Sequence, residues 1–566
     1  MAGLAAAAGL PPVIARLLVA RGVRHAAEAR RFLTPALDHL HSPYAMLGMD
    51  QAVARLRAAI ANREPTLIYG DYDVDGTVAV VILKTAIELC GGSADFHVPH
   101  RIREGYGMKD DVIERAAAGG VRLIISVDTG IRAFAAAETA RRLGLDLIVT
   151  DHHLPDEGEG VPQAAAVLNP NQCGCGYPCK ALCGAGVAFK LAQALLEENG
   201  RARLLPSFLK MVAIATIADV VPLLGENRVF AKLGLEGLRR PVNAGLKALL
   251  EAASLAGSQR LTAGDVAFRL APRLNAAGRM DVAQDVIELF SVKDAGRARQ
   301  IAGRLNQLNA DRQQEEQRIM QAVEELLAKA PQMRESFCLV LDGDAWHRGV
   351  IGIAATRVVE RYGRPALVLS REGDEAYGSG RSIRGFHLLE ALESCHDMFT
   401  RFGGHAHACG FSLPVERVPA LRRALDDYAR ARLTAADFEP LLEYDGELAL
   451  EQITPALYDQ LQRLEPFGMG NPEPVFVARA ARVILPPRVL KDKHVKMRLA
   501  QPNGARFARG MDAVGWRMAE RVQQAAILAG DTVDVAFTIE RNTHPEYGGL
   551  ELRMEDVVKT AGAAAG

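Results

Sequence analysis

Between Thr66 and Pro170 five short apolar runs alternate with Ala-rich helical stretches, and this alternation restricts the fold more than any other feature of the chain. The runs are T-L-I-Y-G (66–70), D-F-H-V-P (95–99), L-I-I-S-V-D (123–128), D-L-I-V-T-D (146–151) and A-A-V-L-N-P (165–170). Helical stretches such as V-A-V-V-I-L-K-T-A-I-E-L (78–89) and A-F-A-A-A-E-T-A-R-R-L (133–143) separate most of them. Near-continuous apolar strands joined by helical crossovers predict a parallel sheet covered on both faces. Ligands of such sheets sit in the crevice beyond the carboxyl ends of the strands, so the residues at those ends are the candidate site.

Those ends are acidic. The first strand delivers Asp71, Asp73 and Asp75, the third delivers Asp128 in V-D-T-G, and the fourth delivers Asp151, His152 and His153 in T-D-H-H. Asp is a favoured helix N-cap, and any one of these motifs alone is open to that reading. Three of them on one edge of one sheet argue against it, because carboxylates brought together raise one another's pKa unless a cation neutralises them. Oxygen ligands with one or two imidazoles suit Mg²⁺ or Mn²⁺ better than Zn²⁺, since no thiolate takes part. The spacing Asp71, Asp73, Asp75, Gly76 also opens an EF-hand loop. That loop needs a bidentate Glu at its twelfth position, where this chain has Ile82, and its flank is strand-like; the calcium loop fails.

At 566 residues the chain is too long for one hydrophobic core and predicts several domains. Residues 1 to about 55 read as short helices broken at Pro11, Pro12 and Pro35, and 185–280 read as mostly helical. From Val282 to Ala330 few breakers follow Gly303, which predicts a long, partly exposed linking helix. A second αβ region follows, with strands F-C-L-V-L-D (337–342) and A-L-V-L-S (366–370). From about Leu441 short strands and turns predict a small β-barrel. A formal net charge of −1 means that any surface for nucleic acid must be local. The basic run R-V-L-K-D-K-H-V-K-M-R (488–498), with Lys491, Lys493, Lys496 and Arg498, lies inside the expected barrel.

The N-terminus lacks a basic region followed by a long apolar stretch, and no run is long and apolar enough to span a bilayer. With eight cysteines in so long a chain, a reduced, cytoplasmic protein is expected. Four of them lie close together in C-G-C-G-Y-P-C-K-A-L-C-G-A-G (173–186). The spacing C-x-C-x3-C-x3-C of Cys173, Cys175, Cys179 and Cys183 is no standard zinc pattern, and free thiols leading into a helix are expected over a metal knuckle.

D-Y-D-V-D-G, V-D-T-G, T-D-H-H and the later I-A-D-V-V-P-L (217–223) resemble the four motifs of the DHH phosphoesterase superfamily. G-G-H-A-H-A-C-G-F (403–411) resembles the signature of its DHHA1 companion domain. P-R-L-N-A-A-G-R-M (272–280) and L-E-P-F-G-M-G-N-P-E-P-V-F (464–476) are similar to the RecJ branch in particular. The resemblance implies an N-terminal helical segment over 1–55, a DHH catalytic domain over 56–280, a linking helix over 281–335, a DHHA1 domain over 336–435 and an OB-like nucleic-acid-binding domain over 440–560.

It also implies a single-strand-specific 5′→3′ exonuclease of recombination and repair, releasing 5′-mononucleotides with two Mn²⁺ or Mg²⁺ ions. Single-stranded DNA is the implied substrate, single-strand-binding protein the expected partner, and a monomer the expected state. Carried over, Asp73, Asp75, Asp128, His152 and Asp219 hold the metals, with Asp128 or Asp75 as the bridge. Asp71 either completes that shell or caps the turn, Asp151 supports the histidines, and His153 contacts the scissile phosphate. Arg279, Arg381, Ser382, Gly404 and His405 are expected to hold a phosphate, and Tyr106 in R-E-G-Y-G to stack on a base. The rivals are a small-substrate DHH phosphodiesterase, which needs no barrel, and a non-catalytic scaffold, which needs no full ligand set.

Overall fold

Strands β1 (Thr66–Tyr69), β2 (Ala94–His97), β3 (Leu123–Val127), β4 (Asp146–Thr150) and β5 (Ala166–Leu168) form one parallel sheet in the order β2-β1-β3-β4-β5. Its register pairs Tyr69 with Ser126, Val127 with Thr150 and Thr150 with Leu168, so the carboxyl ends stand level. The order reverses between β1 and β3, which opens the ligand crevice there. This structure, a computed structural model, describes residues 2–503, 506–507, 510–542 and 548–560. The chain divides into two units: 41–219 with 234–440, and 1–40 with 220–233 and 441–566.

In the first unit, side chains alternate across the sheet as strands require. Leu67, Tyr69, Ile124, Leu147 and Val149 pack against α2 (Asp110–Ala118) and α3 (Phe134–Arg142). The opposite face meets α1 (Val74–Leu89) and α4 (Gly184–Glu198), both buried on nearly every side. Helix α5 (Leu205–Ala218) packs on them and ends at Asp219. Each strand therefore carries apolar residues on both faces, which is why the runs read as continuous rather than alternating.

Helix α6 (Ala271–Met280) leads to two further helices where one linking helix was expected. The segment breaks between α7 (Gln284–Ser291) and α8 (Ala295–Lys329), where the Asp294 carboxylate accepts the Arg297 N–H at 2.6 Å and restarts the helix. The second αβ region holds β6 (Leu339–Asp344), α9 (Ile351–Tyr362), β7 (Ala366–Glu372), β8 (Glu375–Arg381), β9 (Arg401–His405), β10 (Ala408–Pro414) and α10 (Val418–Arg430). Its mixed sheet runs β6-β7-β8-β10-β9, parallel only between β6 and β7.

The other unit holds a barrel. Strand β11 (Gly446–Glu447) flanks β12 (Phe476–Leu490), and β13 (His494–Ala500), β14 (Met511–Gly515), β15 (Thr532–Asn542) and β16 (Gly549–Lys559) follow in the order β11-β12-β13-β14-β16-β15. Pairing of β12 with β15 closes five strands, and helix α11 (Ala519–Gln524) sits between β14 and β15 in the chain, as in an OB fold. Phe476, Val483, Val495, Met497, Val535 and Phe537 fill its interior. Residues 1–55 are divided: Ile14, Leu17 and Leu18 pack in the barrel's core cluster, whereas helix Met49–Asn62 belongs to the other unit. Among the described residues no helix is long and apolar enough to cross a membrane.

Candidate metal centre and phosphate site

The turn after β1 places Asp71, Asp73 and Asp75 in three different settings. Asp71 is buried, and its Oδ1 has no hydrogen-bond donor. Asp73 caps α1, its Oδ1 accepting the Gly76 N–H at 3.0 Å, so the capping role open to such residues falls on this one. Asp75 lies in the first turn of α1, where its carboxylate takes the Gly184 N–H at 2.6 Å and the Ala185 N–H at 2.9 Å.

Asp128 follows β3 in the left-handed region, at φ 59°, a backbone state that costs energy for any residue but glycine. Its N–H donates to Thr150 O at 3.0 Å, which ties it to the end of β4. His152 then meets it: Nε2 is 3.2 Å from Asp128 Oδ1 and 3.9 Å from both Asp75 Oδ2 and Asp219 Oδ2. Asp128 Oδ1 is buried and lacks a hydrogen-bond donor even so, because the His152 approach is not along a bonding line.

Burial, and then the neighbouring carboxylates, push Asp71 and Asp128 well above the usual carboxylate range and raise Asp219 to about 9. Burial raises Asp75 too, although His152 opposes it. Burial also lowers His152, keeping its imidazole neutral and available as a ligand. Asp71, Asp73 and Asp128 offer ligand atoms within 4.8 Å of one another, as do Asp75, His152 and Asp219, and Asp128 with His152 and His153. Asp128 links the first set to the third and His152 links the second to the third, a chain of donors with the chemistry of a hard divalent pair, and the donorless Asp71 and Asp128 oxygens fit such ions. None of these sets contains a cysteine; all eight cysteines are free, and Cys183 is the residue preceding α4.

Asp151 is in none of those sets but holds two of their members. Its Oδ1 accepts the His152 N–H at 2.7 Å, the His153 N–H at 3.2 Å and His153 Nδ1 at 2.7 Å, and its Oδ2 accepts the Ile131 N–H at 2.9 Å. Burial opposes its charge, yet the His153 bond and charge outweigh it and hold Asp151 below its ordinary value. Burial likewise opposes a charged His153, but the Asp151 bond prevails and raises it. Tyr106 Oη lies 3.4 Å from His153 Nδ1, and the tyrosine side is half exposed. Two residues that sequence reasoning missed hold this turn from behind: Asn169 donates to His153 O and Asn171 to His152 O, each at 2.8 Å. The signal was the N-P-N triplet closing β5.

Arg279, at the end of α6, is brought to the same place. Burial first, and then Arg101, Arg312 and Arg381, lower its pKa to about 9 against the opposing charge of Asp73. Its Nη1 donates to Gly349 O at 3.1 Å, and Arg101, also missed, lies 4.1 Å over the Tyr72 ring. Arg381 donates to Ser379 Oγ at 3.1 Å, whereas the Ser382 hydroxyl is turned to Phe386 O at 2.6 Å. Gly404 and His405 lie on the exposed edge strand β9 rather than in a turn. At Gly404, φ 145°, a Cβ would come 2.3 Å from Ala408 O. His405 is lowered by burial and by His407 and Arg381.

The basic run of the barrel lies in the other unit. Lys491 and Lys493 belong to the β12–β13 hairpin, while Lys496 and Arg498 face outward on β13 and share Asp512 at 2.9 and 3.8 Å. Trp516, 57% exposed, stands edge-on to His494 at 4.8 Å beside that hairpin and adds an aromatic surface the sequence reading did not credit.

Family models match in the same order along the chain: the DHH family N-terminal domain over 65–216, the DHHA1 domain over 335–431 and the RecJ OB domain over 444–556. The single-stranded-DNA-specific exonuclease RecJ of Bacillus subtilis is 39% identical over 552 residues, 97% of this chain and 68% of the relative. That of Escherichia coli is 35% identical over 570 residues, covering 97% and 92%. The chain belongs to the RecJ family.

The fold agrees with family members of known structure. A crystal structure of Thermus thermophilus RecJ in complex with Mn²⁺ superposes with a TM-score of 0.83 at 29% identity, covering 99% of this chain and 77% of that one. The Mg²⁺ complex gives 0.77 at 29% identity, covering 99% and 76%. The RecJ OB match falls on the five-stranded barrel, and the DHH and DHHA1 matches fall on the two sheets of the other unit.

Proposed function

We propose that this chain is a single-stranded-DNA-specific exonuclease that hydrolyses phosphodiester bonds from the 5′ end and releases 5′-mononucleotides. The observation that carries the reading is the junction at Asp128. Buried carboxylates there lack donors and crowd a neutral imidazole, and an arginine cluster stands beside Asp73. A site of that composition binds cations on one side and phosphate on the other.

Asp73, Asp75, Asp128, His152 and Asp219 are the residues that would hold the metals, with Asp128 or Asp75 shared between them and Asp71 completing its side of the site. Mn²⁺ or Mg²⁺ held there supplies a water of lowered pKa and offsets charge on the leaving oxygen. The chain's own residues do the rest. Arg279 and Arg381, with His405 nearby, hold phosphate, and their mutual repulsion favours an anion between them. His153, fixed through Nδ1 by Asp151, is left with Nε2 to donate to a phosphate oxygen. Tyr106 offers its half-exposed ring to a base, and Lys491, Lys493, Lys496, Arg498 and Trp516 give the barrel a surface for single-stranded backbone.

The domains proposed are those implied by the motifs, with the barrel as the nucleic-acid-binding one. Recombination and repair in the cytoplasm, with single-strand-binding protein as partner and the enzyme as a monomer, complete the proposal. Single strands labelled at the 5′ or the 3′ end, with duplex controls and added Mn²⁺, test it. Labelled mononucleotide released first from the 5′ end supports the reading; activity confined to dinucleotides overturns it.

A further inference from the structure

Helix α4 begins without a side-chain cap of its own: Cys183 stands at the N-cap position and makes no capping bond. The first N–H groups of any α-helix need acceptors from elsewhere. Here Asp75, more than a hundred residues earlier, supplies both, one oxygen to Gly184 N at 2.6 Å and the other to Ala185 N at 2.9 Å. The Cys183 thiol also bonds Asp75 and lies 3.6 Å from Thr216 Oγ1. A carboxylate held through both oxygens cannot rotate about its last bond. Each oxygen keeps a lone pair on the side away from the helix.

The same first turn meets Asp128. A Cβ at Gly184 would lie 2.5 Å from both Cβ and Oδ1 of Asp128 and 2.7 Å from its Cγ. Because the contact includes the Asp128 Cβ, next to a backbone already held at φ 59°, no rotation of the carboxylate relieves it. Gly186, two residues on, is ordinary by contrast: its Cβ would meet Leu182 at 3.5 Å and Cys183 Sγ at 3.8 Å.

We propose that the first turn of α4, through Gly184, Ala185 and Cys183, is the positioning device of the metal centre, clamping Asp75 from behind while leaving room for Asp128 to reach the shared position. Gly184 is then required for lack of volume, not for backbone freedom, since it is an ordinary helical residue. The inference rests on the reading that Asp75 and Asp128 bind metal.

The experiment compares the full chain with Gly184→Ala and Gly186→Ala, titrating Mn²⁺ into metal-free protein and reading free ion by electron paramagnetic resonance. Thermal unfolding and oligothymidylate binding are measured without metal. Gly186→Ala is expected to keep the parent's melting temperature, strand binding and Mn²⁺ affinity, whereas Gly184→Ala should fold with a lowered melting temperature, because its Cβ overlaps Asp128, and keep strand binding. Gly184→Ala should bind Mn²⁺ at least about tenfold more weakly, the scale of losing an outer partner of a metal site. Parent-like Mn²⁺ affinity in Gly184→Ala overturns the inference. If Gly184→Ala does not fold, Cys183→Ala replaces it: weakened Mn²⁺ binding restored in Cys183→Ser supports the clamp, and unchanged binding in Cys183→Ala overturns it. Failure of the underlying reading looks different, because the parent and Asp128→Ala would then bind Mn²⁺ equally.

Discussion

His152 Nε2 and Asp128 Oδ1 lie 3.2 Å apart and form no hydrogen bond. Two ligands at right angles on one ion, each at about 2.1 Å, stand about 3 Å apart and point past one another. The pair therefore has the separation of neighbouring ligands and lacks the alignment of donor and acceptor. An unneutralised Asp128 in that position is costly, and its raised pKa expresses the cost.

This cost has a pH signature. Asp219 is raised to about 9, and Asp71, Asp75 and Asp128 are raised as well. A carboxyl with a raised folded-state pKa contributes stability present below its unfolded value, near 3.9, and lost as pH rises through the folded value. His153, also raised, acts in the same direction, whereas lowered His152 opposes only below its ordinary value of 6.5. The metal-free protein should therefore lose thermal stability between about pH 6.5 and pH 8.5. Mn²⁺ should raise the melting temperature more at pH 8.5 than at pH 6.5, because binding displaces protons. Scanning calorimetry in EDTA and in Mn²⁺ at the two pH values checks this; an equal Mn²⁺ effect at both contradicts it.

Asp151 is an organiser of the His-His turn, fully buried and accepting four bonds. Asp151→Asn removes the charge that raises His153 and leaves one donor facing another. The expected cost is about 1–3 kcal/mol of stability in urea unfolding. The His153 pKa should fall as well, read from imidazole proton shifts; an unmoved His153 would contradict the pairing.

Arg279 stands in a crowd of guanidiniums that only an anion relieves. Arg279→Ala should weaken single-strand binding at low salt and flatten the plot of log affinity against log salt by about 0.7, the share of one phosphate contact. Fluorescence anisotropy across a salt series measures both. A parallel plot with unchanged slope would place Arg279 outside the phosphate path.

The strands and their acidic ends were legible because both are local patterns: an apolar run, then Asp. Asp219 was not, since alone it is a carboxylate at a helix end, here the C-cap of α5. Gly184 and Arg101 act across long stretches of chain, and nothing in their own neighbourhoods marks them. The break before α8 has a local signal, Asp294 at its N-cap, which the reading of a breaker-poor run after Gly303 left unused. The pairing of Lys496 and Arg498 with Asp512 could not be read from the basic run, because Asp512 comes from the next strand of the barrel.

The account turns on Asp128, which belongs to two of the three candidate ligand groups and touches His152 of the other. Single-turnover cleavage of a labelled single strand by Asp128→Ala in Mn²⁺, beside strand binding in EDTA, measures that directly. Cleavage is expected to fall by more than about a hundredfold, beyond the cost of losing even an outer partner, while binding stays at the parent's level. Cleavage at the parent's rate by Asp128→Ala would contradict the account.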